Sequence, residues 1–149
     1  MWEFTSGIPA FNNKAHDYQL ILDICEGERP EITKNTPKCY IELMKKCWDS
    51  DAFKRPNIID LEIIISQWLT CVNEYYRING EKDKNTLVVS DIDNQSRNDM
   101  YEFVRANEAL TQEQVDTPII QFHSQAYYTS RLLTEILNQK NSECLDCIV

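Results

Sequence analysis

The sequence predicts an all-α fold followed by a largely disordered tail with one or two short helices. Three observations predict it. Tyr40, Leu43, Met44, Cys47 and Trp48 recur at i, i+3, i+4, i+7 and i+8, while Lys38, Glu42, Lys45 and Lys46 take the opposite face. Residues 57–72 carry Ile58, Leu61, Ile65 and Trp68 on one side, widened by Ile59, Ile63, Ile64 and Leu69. Residues 79–99, NGEKDKNTLVVSDIDNQSRND, are too polar to bury enough surface to offset the entropy of ordering them.

Taken in order, Met1 to Ser6 reads as the last turns of a helix, with Gly7 just past its end. A helix that begins at its own C-terminal end suggests a chain cut short. Ile8 to Asn13 is a loop. Asp17 caps a helix over about 18–26, whose face is Leu20, Ile21, Ile24 and Cys25, and Gly27 stops it. Glu28 to Glu31 is extended because Pro30 excludes its predecessor from helical angles. Thr36 is the expected N-cap of the next helix, with Pro37 at its first position. Asp49-Ser50-Asp51 ends that helix, and Pro56 opens the next. Because the helix after Pro56 is apolar on most sides, it is expected to be buried in a larger helical assembly. Helical spacing returns over 99–114 through Met100, Phe103, Val104 and Leu110. Thr117 to His123 reads as extended. Thr129 to Gln139 reads as a short helix with Leu132, Leu133, Ile136 and Leu137 on one side.

The net charge is −9, with 11 acidic against 8 basic side chains in residues 1–70 and 13 against 7 in residues 71–149. That balance speaks against a nucleic-acid backbone or an anionic membrane surface as partner. The six cysteines are expected to be reduced, since MWEFTSGIP is no signal peptide. The expected setting is the cytoplasm. No apolar run approaches the ~20 residues of a membrane span.

The order of several short motifs resembles the end of a protein kinase catalytic domain, in its tyrosine-kinase-like branch. Trp2-Glu3, with Thr5-Ser6-Gly7 and Pro9-x-Phe11, is similar to the end of the family's long central helix. Gly27-Glu28-Arg29-Pro30 resembles its Gly-x-Arg-Pro segment. Leu43-Met44 with Cys47-Trp48, then Asp51 and Arg55-Pro56, resembles its closing helices. Ala52 departs from the pattern, which usually has proline after the aspartate. The resemblance covers somewhat under half of the chain. It implies that residues 1–72 are the last helices of a kinase-like large lobe, with 73–99 a polar linker and 100–149 an acidic tail. It also implies ATP, magnesium and phosphoryl transfer to Ser, Thr or Tyr at the level of the family.

The residues that would perform that chemistry are not in this sequence. It has three glycines and no G-x-G-x-x-G loop, and no Val-Ala-x-Lys, His-Arg-Asp, Asp-Phe-Gly or Ala-Pro-Glu. The chain is therefore expected to hold no cofactor and no metal and to have no catalytic residue. A protein-interaction or scaffold role is the alternative to an inactive kinase fragment, and an exposed apolar face would drive self-association. The Arg55 counterpart in the family pairs with the missing glutamate, so Arg55 is expected to be exposed or to find Asp49 or Asp51. Trp48 and Trp68 are expected in the helical core. Cys144-x-x-Cys147 lacks a second pair or a nearby His and makes a poor metal site. Tyr127-Tyr128-Thr129-Ser130 reads as a loop before a helix, with phosphorylation the alternative. A chain lacking the central helix of such a lobe is expected to fold marginally over 1–70.

Overall fold

The computed structural model describes residues 1–80, 92–112 and 121–129. Among these the regular structure is entirely helical: α1 (Trp2–Ser6), α2 (Tyr18–Cys25), α3 (Lys38–Cys47), a 3₁₀ turn (Ala52–Lys54), α4 (Ile58–Asn79) and α5 (Asn94–Gln112). The chain divides into two compact units, Met1–Glu31 with Thr117–Val149, and Ile32–Asp116. The expected features at 113–120 and 130–149, including the short helix over 129–139 and Cys144-x-x-Cys147, lie outside the described residues, apart from Thr129.

In the first unit, Gly7 closes α1 in the left-handed region (φ 71°), and its N–H donates to the Glu3 carbonyl at 3.0 Å. Asp17 caps α2 as expected, accepting from the Leu20 N–H at 3.1 Å. Residues 121–129 have no regular structure but are tied to the loop after α1. The His123 N–H donates to the Asn12 carbonyl at 2.8 Å, and the His16 N–H to the Gln125 carbonyl at 3.0 Å. The imidazole of His16 accepts from the Tyr127 N–H at 3.1 Å.

The second unit is built on α4 and α5. Their apolar seam centres on Cys71 and Met100, with Val72, Tyr75, Ile78, Ile92 and Tyr101 packed around them. Cys39, Leu43 and Met44 of α3, Trp68 of α4 and Val104 of α5 complete the buried apolar set of this unit. Tyr40, Trp68 and Phe103 form an aromatic triangle from three different helices, with ring centroids 5.3–6.5 Å apart. Inside it, the Trp68 indole N–H donates to Asp99 Oδ2 at 2.8 Å, and Gln95 Nε2 donates to the other carboxylate oxygen at 2.7 Å. A buried indole N–H needs such a partner.

Four expectations are corrected here. Helix α3 begins at Lys38, so Pro37 holds the cap position with extended angles (φ −55°, ψ 139°) and Thr36 is no cap. The Thr36 hydroxyl donates instead to the Thr33 carbonyl at 2.8 Å. Glu102 of α5 accepts from the Cys39 N–H at 2.7 Å and satisfies that helix end from 63 residues away. Helix α4 runs on to Asn79, because Val72, Tyr75 and Ile78 continue its buried stripe onto α5. Helix α5 begins at Asn94, where Asp93 accepts from the N–H groups of Gln95 (2.9 Å) and Ser96 (3.0 Å). Helical residues thus enter both ends of the segment expected to be a linker over 73–99.

The fourth correction concerns α4 itself. Its first half is not enclosed. Ile58, Ile59, Ile63, Ile65 and Leu69 are exposed, while Trp68 and Cys71 are buried. The core that α3 and α4 were expected to lack is filled along one side only, by α5.

Two predictions follow from this packing. Asp99→Ala leaves the Trp68 N–H buried without an acceptor, and should lower stability by about 1–3 kcal/mol in urea unfolding followed by Trp fluorescence. The second concerns alkaline pH. Burial, then the carboxylates of Asp99 and Glu102, raise the Cys39 thiol far above its ordinary value of 9.0, and burial also raises Cys71. A group whose pKa is raised by folding stabilises fully below its unfolded value, and that contribution is lost as pH rises beyond it. The urea midpoint should therefore fall above about pH 9, and fall less in Cys39→Ala.

Candidate functional site

The residues that carry the kinase resemblance fall into two groups, one in each unit. In the first unit, α1 and the segment after α2 are brought together. The Trp2 indole N–H donates to the Glu31 carbonyl at 2.9 Å, beside Pro30. Glu3 accepts from the Ala10 N–H at 3.2 Å and so braces the loop after Gly7. Gly27 has a φ of 107°, an angle L side chains rarely adopt, which turns the chain out of α2. Arg29 then reaches back, its guanidinium donating to the carbonyls of Ile24 (2.8 Å) and Glu28 (2.7 Å). These bonds tie the side chain to the last turn of α2, where the Ile24 carbonyl also accepts from the Gly27 N–H at 3.1 Å, and to the turn beyond it. Lys14 and Glu28 pair across the same turn.

In the second unit, Cys47 is the last residue of α3 and Trp48 its cap, and both are half-buried. Asp49 accepts from the Asp51 N–H at 2.9 Å. Asp51 in turn caps the 3₁₀ turn, accepting from the Phe53 N–H at 3.0 Å. Arg55 closes the knot. Its Nε donates to the Asp49 carbonyl at 2.7 Å and its Nη2 to the Ser50 carbonyl at 3.4 Å. Arg55 is exposed and takes backbone carbonyls in place of the carboxylates of Asp49 or Asp51. Ala52, where the kinase pattern has proline, enters this turn with Asp51 already extended (φ −81°, ψ 111°). Pro56 leads into Asn57, which forms a reciprocal cap with Asp60. Asn57 Oδ1 accepts from the Ile59 and Asp60 N–H groups (2.9 and 3.0 Å), and the Asn57 N–H donates to Asp60 Oδ2 at 3.3 Å.

Most of the ten motif residues thus sit at turns or helix ends, and Trp2 ties α1 to the segment after α2. Among the described residues no group of three or more His, Cys, Asp or Glu side chains is placed to hold a metal ion. No helix among them is long and apolar enough to cross a membrane. The stripe of α4 was expected both to be buried in a larger helical assembly and to leave an apolar face exposed; in its first half Ile58, Ile59, Ile63 and Ile65 are exposed. The signal available was the stripe itself, wider than one partner helix can cover.

Comparison with known proteins gives partial similarity to serine/threonine-protein kinases. A protein of Acanthamoeba polyphaga mimivirus named as a serine/threonine-protein kinase/receptor is 32% identical over 68 residues, 46% of this chain and 4% of that protein. A Dictyostelium discoideum protein, named as a probable inactive serine/threonine-protein kinase, is 41% identical over 52 residues, 35% of this chain and 3% of that one. The human receptor-interacting serine/threonine-protein kinase 1 is 32% identical over 65 residues, 42% of this chain and 10% of that one. The chain thus spans a small fraction of the length of the curated relatives it matches. No protein-family model matches the chain, and no solved structure does.

The Arg55 geometry gives a prediction. An exposed guanidinium on backbone carbonyls is worth about 1 kcal/mol or less, against about 3–5 kcal/mol for breaking a buried ion pair. Arg55→Ala should lie at the low end in chemical denaturation.

Proposed function

We propose that this chain is a non-catalytic piece of protein-kinase architecture, the closing helices of a tyrosine-kinase-like large lobe with α5 packed onto them. The observation that carries the reading is the partial identity with serine/threonine-protein kinases. The motif order from Trp2-Glu3 through Gly27-x-Arg29-Pro30 to Cys47-Trp48, Asp51 and Arg55-Pro56 supports it. Kinase chemistry works by holding phosphates and magnesium in place while an aspartate orients the acceptor hydroxyl. The ten motif residues do none of these tasks in this chain; they hold backbone. ATP and magnesium belong to the family activity, and the chain alone transfers no phosphoryl group. Cys25, Cys39, Cys47 and Cys71 form no disulfide, which fits a reducing cytoplasm.

A second reading, a protein-interaction module, is favoured by the exposed isoleucines of α4. Monomeric proteins seldom leave a contiguous apolar face uncovered without a use for it. An affinity pull-down that returns only chaperones counts against this second reading.

The proposal is checked by incubating the purified chain with γ-labelled ATP, magnesium and a generic protein substrate. The expected result is incorporation no higher than in a protein-free control; transfer above that level would overturn the non-catalytic assignment.

A further inference from the structure

Helix α4 carries a regular stripe beside its seam with α5, open over Ile58 to Leu69 and bordering α5 at Val72 and at Tyr76, whose hydroxyl accepts from Asn107 Nδ2 at 2.9 Å. Ile58, Glu62, Ile65, Leu69, Val72 and Tyr76 follow one another at spacings of 4, 3, 4, 3 and 4 residues. This is the seam spacing of paired helices. Five of the six are apolar. Ile58 is 76% exposed, Leu69 58%, Tyr76 40% and Ile65 37%, while Val72 is half-buried at the edge of the seam with α5. The buried residues Trp68 and Cys71 point to α5 from a different side of the same helix. A second helix could lie along Ile58 to Leu69 clear of α5 and meet its edge at Val72 and Tyr76.

We propose that this stripe recognises a second copy of the chain, the two α4 helices pairing antiparallel about a two-fold axis near Gln67. The proposal rests on the interaction-module reading. Three features select this occupant and this direction. First, the spacing reads the same from both ends. About Gln67, Ile58 lies opposite the partner's Tyr76, Ile65 opposite the partner's Leu69, and Glu62 opposite the partner's Val72. A two-fold pair needs that kind of self-complementary surface.

Second, the one charge on the stripe decides direction. In a parallel pair Glu62 faces the partner's Glu62 across an apolar seam, which repels. In the antiparallel pair the partner's Arg77 stands opposite Asn57, five residues or about 7.5 Å along the axis from Glu62, on the same side of the contact. Helical side chains lean toward their own N-termini, which in antiparallel helices brings these two toward each other. Arg77 is exposed, with Glu74 of its own helix as its partner at 2.6–2.8 Å. Such a surface pair holds weakly and can exchange.

Third, the area is of the right order for a weak dimer. The exposed parts of Ile58, Ile65, Leu69 and Tyr76 come to on the order of 400 Å² per copy, about half of the ~800 Å² that a standard interface takes from each partner. Polar atoms along α4, which is about 33 Å long, would add to that. Reversible, concentration-dependent pairing follows, not a permanent dimer.

The test is sedimentation velocity of the full-length chain from micromolar to near-millimolar concentration. The expected result is a reversible monomer–dimer equilibrium. Leu69→Glu should raise the dissociation constant by about tenfold or more, by placing a charge at the centre of the contact. Glu62→Arg and Arg77→Glu should each weaken pairing, and the two together should restore it, while far-ultraviolet circular dichroism confirms that each variant keeps its helices. A chain that is monomeric throughout, open-ended aggregation indifferent to these changes, or a double variant no better than the single ones would overturn the proposal. A monomeric chain that still returns partners other than chaperones in a pull-down would overturn self-pairing and leave the interaction-module reading standing. A dimer that responds to the charge swap but returns chaperones alone would support self-pairing and remove the wider module reading.

Discussion

The hydrogen bond from the Trp68 indole to Asp99 is the constraint on which the second unit depends. It joins α4 to α5 inside the aromatic triangle of Tyr40, Trp68 and Phe103. Three helices meet there, and the bond fixes their register as apolar packing alone would not. An apolar seam of Cys71, Met100, Val72 and Tyr101 tolerates small slides, since dispersion contacts are non-directional. An indole N–H aimed at a carboxylate does not tolerate them, because sliding strands both polar groups in a dry site. With Asp99 set, Glu102 lies one turn further along α5, where its carboxylate reaches the Cys39 N–H and ends α3. One polar contact therefore orders two helix pairs.

Local features were legible in the sequence, and distant ones were not. Gly7 after α1, Asp17 before α2 and the apolar stripe of α3 all act within one or two turns. Their physics is written in neighbouring residues. The cap of α3 was misread because Thr36-Pro37 offered a good local answer while Glu102, 63 residues away, supplied the real one. The start of α5 was missed inside a polar run, although Asp93 three residues before Ser96 is a capping pattern. The extra turns of α4 depend on Tyr75 and Ile78 finding α5, a tertiary fact. An exposed apolar face was expected, but that Ile58, Ile59 and Ile63 form it was not legible, for the opposite reason. Periodicity reports which face could be buried, and only the set of neighbours decides whether it is.

The motif residues have a structural logic of their own. Arg29 and Arg55 both bind backbone carbonyls at or just beyond a helix end, where the macrodipole favours a cation. Asp17, Asp51 and Asp93 do the matching work at helix starts. A chain with net charge −9 thus places part of its charge where backbone dipoles favour it. The bonds these residues make are to backbone, so their pattern speaks to architecture and not to activity.

The reciprocal cap of Asn57 and Asp60 has a mechanical consequence. Beyond Trp68 toward its start, α4 has little side support, and its first three turns stand out from the core like a cantilever. The helix is held at its base by the aromatic triangle and finished at its tip by the cap. A rod built this way bends and frays from the tip inward. Backbone amides near Ile58 should open on their own, long before those around Cys71, which share the fate of the whole unit.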